Sequence, residues 1–273
     1  MGTKPKVFIK NVIDIDNPSV TITVFDSEAT NDGQSFVDQV RNRNNFTGLA
    51  TTGSSDSATN YIEIDWIDEV LIDTIILVGH NYKNFTIKKW NGSSFTDFAT
   101  PISETTNADF VSQFSVTPQN LSKIRIDINA TQTVDDEKKI RQIIITRKVG
   151  AGQFSGWPEI RKFEKNQNRK AVETLSGKNH LRESAGAAKY QMRFKVWPYD
   201  ADFIMIEKIY FENPFGVLFW LSGGDETQFR YKRVGYRAED IFLVKPLNEW
   251  DGTFEKSIYV NGMNFDLTLV EVI

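Results

Sequence analysis

Chemistry in a protein usually announces itself through imidazole, thiol or paired carboxylate groups, and this chain is sparing with all three. It has two histidines, His80 and His180, and no cysteine in 273 residues. A zinc site takes three or four nitrogen, sulfur or carboxylate ligands. Two imidazoles a hundred residues apart, in segments read below as different domains, do not supply one. A Ser-His-Asp triad would have to use one of these histidines, yet no Gly-x-Ser-x-Gly turn frames a serine. Asp14/Asp16 and Asp135-Asp136-Glu137 read as solvated turns rather than the facing carboxyls of a glycosidase. Asp14 and Asp16 with Asp26 are the nearest approach to an oxygen-rich calcium site. Gly223-Gly224-Asp225 has neither the lysine nor the following helix of a phosphate-binding loop. The expectation is a protein with no catalytic residue, no metal and no cofactor, one that binds or assembles rather than turning a substrate over. Its six tryptophans are expected in cores and interfaces more than in a sugar-stacking platform.

The elements that would carry such a surface are strands. Residues 19–24 and 61–66 alternate with period two, the latter placing Tyr61, Glu63 and Asp65 on one face and Ile62, Ile64 and Trp66 on the other. Residues 72–78 form a continuous apolar run, the pattern of a strand covered on both sides. Residues 85–90 alternate and run into Asn91-Gly92, which predicts a type I′ hairpin turn because both residues tolerate positive φ. Residues 123–128 and 140–147 complete a first set. The glycine-rich stretch at 149–156 reads as a linker. Beyond it, residues 189–197 alternate. Asp200 then caps a helix whose Phe203, Ile206, Ile209 and Tyr210 share a face, with Asn213-Pro214 as its stop. Strands are expected at 216–221, 227–237, 241–246, 254–260 and 267–272, with Asp251-Gly252 as a turn.

The charge pattern excludes other classes. Residues 1–147 carry 14 basic and 19 acidic side chains and residues 148–273 carry 18 and 17, so neither half has the basic excess of a nucleic-acid binder. No stretch reaches the ~18 apolar residues of a membrane span, and the first ten residues show no apolar core of a secretory leader. One local excess is informative. Residues 161–195 hold ten Lys or Arg against three Glu. That run is a solvated surface or a face that meets an acidic partner, including another copy of the chain.

Two resemblances refine this. Tyr-Ile-Glu-Ile-Asp-Trp at 61–66, the run 72–78 closing on Gly79-His80-Asn81, and the strand ending at Trp90 resemble the discoidin-like, galactose-binding-like jelly roll. The resemblance spans about 15 to 147 and implies a ligand site on loops at one end of the sandwich, with Arg43, His80, Asn81, Tyr82 and Trp90 as its contacts. Residues 157–177, the strand at 190–197 and the Asp200 helix resemble the tail-tube-like domain of bacteriophage distal tail and baseplate hub proteins. That implies rings closed by strand edges, with Arg161, Lys162, Lys165, Arg169, Lys170, Lys178 and Arg182 at the subunit interface.

The sequence thus leads to a mainly β protein. A jelly-roll β-sandwich at 1–148 is followed by a linker at 149–156 and a tail-tube-like β-barrel or sandwich with one flanking helix at 157–273. The function expected is structural: a phage tail tip or baseplate component, located in the virion tail and assembled in the host cytoplasm. It would form a trimeric or hexameric ring and hold other tail proteins such as tail tube and hub, or a host surface glycan. The alternative is a carbohydrate-binding adhesin module of a cell-surface or secreted protein. A glycan-active enzyme ranks third.

Overall fold

The computed structural model describes residues 6–27, 40–41, 48–51, 55–155, 159–173, 179–196, 200–212, 216–220, 241–246 and 263–271. The strands of the first half are β1 (Lys6–Ile9), β2 (Val20–Asp26), β3 (Leu49–Ala50), β4 (Asn60–Val78), β5 (Tyr82–Trp90), β6 (Phe95–Glu104), β7 (Val111–Thr131), β8 (Lys139–Ile140) and β9 (Gln142–Thr146). Then come β10 (Lys148–Gln153), β11 (Glu159–Glu173), β12 (Asn179–Val196), the helix α1 (Ala201–Phe211), β13 (Val217–Trp220), β14 (Ile241–Pro246) and β15 (Met263–Glu271). The fold is mainly β with one helix, and it divides into two units.

The unit of residues 9–148 is a β-sandwich of jelly-roll type. Its main sheet runs β2-β4-β7-β5-β6, with β9 also paired to β4, and β3 pairs separately with β8. β4 and β7 are too long for one flat layer, and their mutual register shifts between Asp65 and Val70 and again between Ile72 and Thr74. Extra residues at such bulges bend and twist a strand. Before the first shift, β4 alternates, with Ile62, Ile64 and Trp66 buried. After the second, residues 74–78 are buried throughout, flanked by β7 on one side and β9 on the other. The core joins Ile22, Ile64, Trp66, Leu77, Phe85, Ile124, Ile126 and Ile145 in one cluster. Each fully buried aliphatic side chain contributes roughly 1.5–3 kcal/mol. At the start of the sandwich the Asn11 side chain acts as a piece of strand. Its Nδ2 donates to the Ile143 carbonyl at 2.9 Å and its Oδ1 accepts from the Ile145 amide at 2.8 Å.

The hairpin after β5 differs from expectation. Gly92 has φ +100°, but Asn91 is not in the left-handed region, so the turn is not type I′. Four residues separate β5 from β6, and the Asn91 side chain organises them. Its Oδ1 accepts from the Ser93 amide, the Ser93 hydroxyl and the Ser94 amide. This is the Asx-turn chemistry that competes with a tight two-residue turn.

The second unit holds a seven-stranded sheet in the order β10-β1-β13-β14-β15-β12-β11. Among the described strands it is open, with β10 and β11 at its two ends, so it is a sheet rather than a closed barrel. α1 begins as the sequence predicts, the Asp200 carboxylate accepting from the Phe203 amide at 2.7 Å. Its buried positions are Asp202, Met205, Ile206 and Ile209, while Phe203 and Tyr210 are half-buried. Buried Asp202 is satisfied by the Ser155 amide at 2.8 Å and the Ser155 hydroxyl at 2.6 Å. The expected strands at 227–237 and 254–260, the turn at Asp251-Gly252 and the stop at Asn213-Pro214 lie outside the described residues.

The domain boundaries also fall differently. β1 belongs to the seven-stranded sheet, and β10 occupies most of the stretch expected as a linker. Gly150 and Gly152, at φ +56° and +77°, give β10 the composition of a loop while it pairs as a strand. β1 and β10 are neighbours in their sheet. The sandwich is therefore an insertion between two adjacent strands, not an N-terminal domain joined by a tether.

Candidate functional site

The sandwich offers two loop ends and one open sheet face. At one end lies the Gly79-His80-Asn81 turn. Gly79 takes φ +66°, which lets its amide and that of His80 both donate to the Phe110 carbonyl, at 2.8 and 3.2 Å. His80 is fully buried. The Tyr82 amide donates to His80 Nδ1 at 3.3 Å, so that nitrogen carries no proton; the proton is on Nε2, which donates to Ser112 Oγ at 2.9 Å. A backbone N–H can only donate, which fixes the tautomer. This is the reverse of a Ser-His dyad, where Nε2 must accept the serine proton. Burial lowers the His80 pKa to about 4 and raises that of Tyr82, which packs beside it at 5.2 Å between ring centroids. Asn81 is committed as well: Nδ2 donates to the Glu137 carbonyl at 2.7 Å and Oδ1 accepts from the Lys139 amide at 2.8 Å. The turn ties loops together. Of the three residues there that the resemblance assigned to a ligand, His80 and Tyr82 present almost no surface to solvent, and Asn81 spends its amide on backbone.

The acidic segments are used in the same way. The Asp56 carboxylate accepts from the Thr131 amide and hydroxyl at 3.0 and 3.1 Å, and Lys138, whose side chain is wholly buried, donates to the Ser55 carbonyl. Asp14 accepts from the Asp16 amide and pairs with Lys10. The carbonyls of Ile13, Asp14 and Asn17 converge on the Arg41 guanidinium. Among the described residues no three carboxylate or imidazole groups come together as metal ligands, and Asp14, Asp16 and Asp26 do not form such a set.

The open face is different in kind. Register places three rows of side chains on the outside of the sheet. Phe25, Tyr61, Asp127, Thr86 and Ser103 form the first, and Thr23, Glu63, Arg125, Lys88 and Asp97 the second. Thr21, Asp65 and Lys123 continue into the third, beside Trp90 and Phe95. None of these side chains is buried. A diagonal band of rings and cations crosses the rows. Phe25 stacks on Tyr61 with centroids 4.9 Å apart and planes 13° from parallel. The Arg125 guanidinium lies 4.8 Å from the Tyr61 ring and 4.6 Å from the Phe95 ring. Phe95 meets Trp90 edge to face at 5.1 Å, and Lys123 Nζ stands 5.8 Å from the Trp90 centroid. Cations over ring faces gain ~0.5–1 kcal/mol each at exposed sites. The charges are paired: Arg125 with Asp127 at 2.9 Å, Lys88 with Asp127 at 3.1 Å, and Lys123 with Asp65, whose hydrogen bond raises the lysine pKa.

Of the sequence-assigned ligand residues, Trp90 alone belongs to this band. It and the Asn91 turn stand at the opposite end of β5 from Tyr82, about 27 Å away at the usual strand rise. Arg43 lies outside the described residues. Phe25, Tyr61, Phe95 and Arg125 were not picked out as ligand residues. Their signal was an aromatic or arginine at the outward parity of a strand, visible at Tyr61 but meaningless until the register aligned it with Phe25 and Arg125.

The basic residues assigned to an interface fall on β11, for Arg161, Lys162, Lys165, Arg169 and Lys170, and on β12, for Arg182. Lys178 lies outside the described residues. β11 is the edge strand of its sheet and pairs only with β12 among the described strands. Among the described residues, β12 pairs with β15 from Lys189 to Val196, and residues 179–188 pair with β11 alone. Lys170 stands opposite Arg182 and Arg169 opposite Glu183.

No family model matches the chain and no curated protein matches it. Solved structures superpose on about half of it. Chitosan-binding module 1 of a Paenibacillus sp. IK-5 chitosanase/glucanase aligns at TM-score 0.39 and 13% identity, covering 50% of this chain and 97% of the module. The family 32 carbohydrate-binding module of Streptococcus pneumoniae EndoD aligns at 0.40 and 10%, covering 51% and 100%. A Ruminococcus gnavus GH29 fucosidase in complex with fucose aligns at 0.42 and 14%, covering 53% of this chain and 28% of the enzyme. The structural neighbours thus include carbohydrate-binding modules. At these scores and identities the choice of ligand rests on the chemistry of this chain's own surface.

Proposed function

We propose that the sandwich of residues 9–148 is a non-catalytic binding module that takes carbohydrate on the open face of its β2-β4-β7-β5-β6 sheet. The observation that carries this is the Arg125 guanidinium held between the Tyr61 and Phe95 rings, with Phe25 and Trp90 extending the band. Half-exposed aromatic rings offer apolar surface to the C–H groups of a sugar, and the flanking carboxylates, guanidinium and ammonium groups offer hydrogen bonds to its hydroxyls. The side chains are braced against one another before any ligand arrives, which lowers the entropy lost on binding. Binding without turnover accords with His80, whose fixed tautomer leaves Ser112 no base. The test is a glycan array on the full chain, followed by calorimetry on any hit with Tyr61→Ala and Trp90→Ala. Each substitution should weaken binding at least tenfold, about 1.4 kcal/mol. An empty array, or a hit that both variants bind as well as the parent, overturns the reading.

A second reading concerns the other unit, and the long edge strand β11 favours it. Among the described strands β11 ends its sheet, and a strand edge left open is a template for pairing with another chain. Lys170 directly opposite Arg182 sets like charges across the β11–β12 pair, an arrangement that an acidic neighbour would relieve. Copies of the chain would join through β11, as a component of a tail or baseplate ring would. Light scattering on the full chain should report an oligomer that Lys165→Glu, Arg169→Glu and Lys170→Glu together dissociate. A monomer at every concentration tried, with and without candidate partners, would dispose of it.

A further inference from the structure

Resting on the glycan reading above, we infer that the open face takes the interior of an extended, uncharged polysaccharide, not a terminal sugar, an acidic glycan or a nucleic acid. Three features of the band point this way. It runs from edge to edge: Phe25 is on β2 and Phe95 on β6, the two outer strands of the sheet order. The contacts from Phe25 through Tyr61 and Arg125 to Phe95 let the two end rings stand at most about 14 Å apart, and Trp90 lies 5.1 Å beyond Phe95, room for more than one sugar ring. A chain can lie along the band and leave at both ends, whereas a terminal sugar is selected by a pocket closed on one side.

The second feature is charge. Lys88, Lys123 and Arg125 share the face with Glu63, Asp65, Asp97 and Asp127, and the cations are already paired to Asp65 and Asp127. An anionic polymer would have to break those pairs and then meet a surface with an acidic excess. That argues against uronates and also against single-stranded nucleic acid, which uses aromatic stacking too but needs a cationic track for its phosphates. Hydroxyl groups can share the paired carboxylates and cations without separating them.

The third feature is ring orientation. Phe25 and Tyr61 are nearly parallel at one end, and Phe95 and Trp90 meet at 64° at the other. Two separate aromatic groups, joined by one guanidinium, place apolar ring surface at successive places along a chain, with Tyr61 itself held between Phe25 and Arg125. A ligand with flat apolar faces repeated along an extended backbone matches this, as in equatorially linked hexose polymers.

The experiment is affinity electrophoresis of the full chain through gels holding hydroxyethylcellulose, glucomannan, polygalacturonate or no polymer, with calorimetry on the constituent monosaccharides and a single-stranded DNA oligomer. The expected result is retardation by at least one uncharged polymer. Its monosaccharide should bind at least tenfold more weakly, and Trp90→Ala and Phe25→Ala, at opposite ends of the band, should each reduce retardation. Phe25 is 41% exposed, so its removal leaves the core untouched and keeps the test meaningful if Trp90→Ala destabilises the hairpin. Binding of a monosaccharide as tight as the polymer, or preference for polygalacturonate or DNA, overturns this inference; the monosaccharide result leaves the glycan reading standing. No retention by any polymer and no sugar binding overturns both.

Discussion

At His80 the imidazole has no solvent to turn to, and both ring nitrogens are spoken for, one by the Tyr82 amide and one by Ser112. Its pKa falls from 6.5 to about 4 because burial penalises the charged form. The sign follows directly. Above pH about 6.5 the ring is neutral in folded and unfolded chains alike, and no stability is lost. Between there and about pH 4 the unfolded chain takes up a proton that the folded chain refuses. Stability then declines by up to about 1.4 kcal/mol per pH unit and levels off below about pH 4, a total near 3 kcal/mol. Urea unfolding at about pH 7 and about pH 5 should show this loss in the parent. In His80→Gln, which keeps a donor and an acceptor but does not titrate, the loss should be smaller; an equal pH dependence would contradict the buried neutral ring. Asn11 is a second residue with a measurable burden. Asn11→Leu keeps the volume but leaves the Ile143 carbonyl and the Ile145 amide without that partner. The expected cost is about 2–4 kcal/mol, read as a lower urea midpoint with an unchanged slope. A cost under about 0.5 kcal/mol would mean that water or backbone shift replaces the amide.

The elements show what could be seen before the structure and what could not. The alternation at 61–66 and the apolar run at 72–78 are local patterns, and both are present, though as the two arms of one bent strand rather than two strands. Nothing in the sequence of 66–71 marks a bulge, because a bulge is set by the partner's register as much as by its own residues. The Asp200 cap was legible for the same local reason. β10 was hidden by its glycines, and the N-terminal half of β7 by polar residues such as Ser115 and Gln119, which alternate too weakly to read as strand. The candidate face fared worse than the fold. An aromatic at an outward position is common, and only alignment of Phe25 with Tyr61 and the reach of Arg125 toward Phe95 make a band of them. The hairpin between Trp90 and Phe95 gives a prediction at this scale. Three donors converge on Asn91 Oδ1, so Asn91→Ala should cost about 1 kcal/mol, while Asn91→Asp, which keeps the acceptor oxygen, should cost much less. Thermal unfolding of the two variants decides it. Equal losses would show that the side-chain oxygen does not organise the turn.

For the molecule as a whole, insertion explains why a boundary drawn from composition misplaces β1. The first strand of the second sheet precedes the sandwich in sequence, and no local signal near residue 9 could reveal a partner that arrives at residue 148. The sandwich closes on itself where the chain enters and leaves: the Ile9 amide donates to the Arg147 carbonyl at 2.8 Å, and Thr146 Oγ1 donates to the Ile9 carbonyl at 2.8 Å. Termini this close are what allow a domain to be inserted into another without straining either. The sandwich also owns a core of its own, from Ile13 to Ile145. Expressed alone, Ile9–Lys148 should therefore fold with a single cooperative urea transition and dispersed amide resonances. Conversely, replacing residues 10–147 by Asn-Gly should bridge β1 to β10 across the span that one hydrogen bond now closes, and leave the strand content of the second sheet in the circular dichroism spectrum. If the isolated sandwich unfolds without a cooperative transition, the two units are one folding domain and the insertion is topological only. If it folds and retains polysaccharide with the full chain's affinity, the binding face and its framework are contained in the inserted segment.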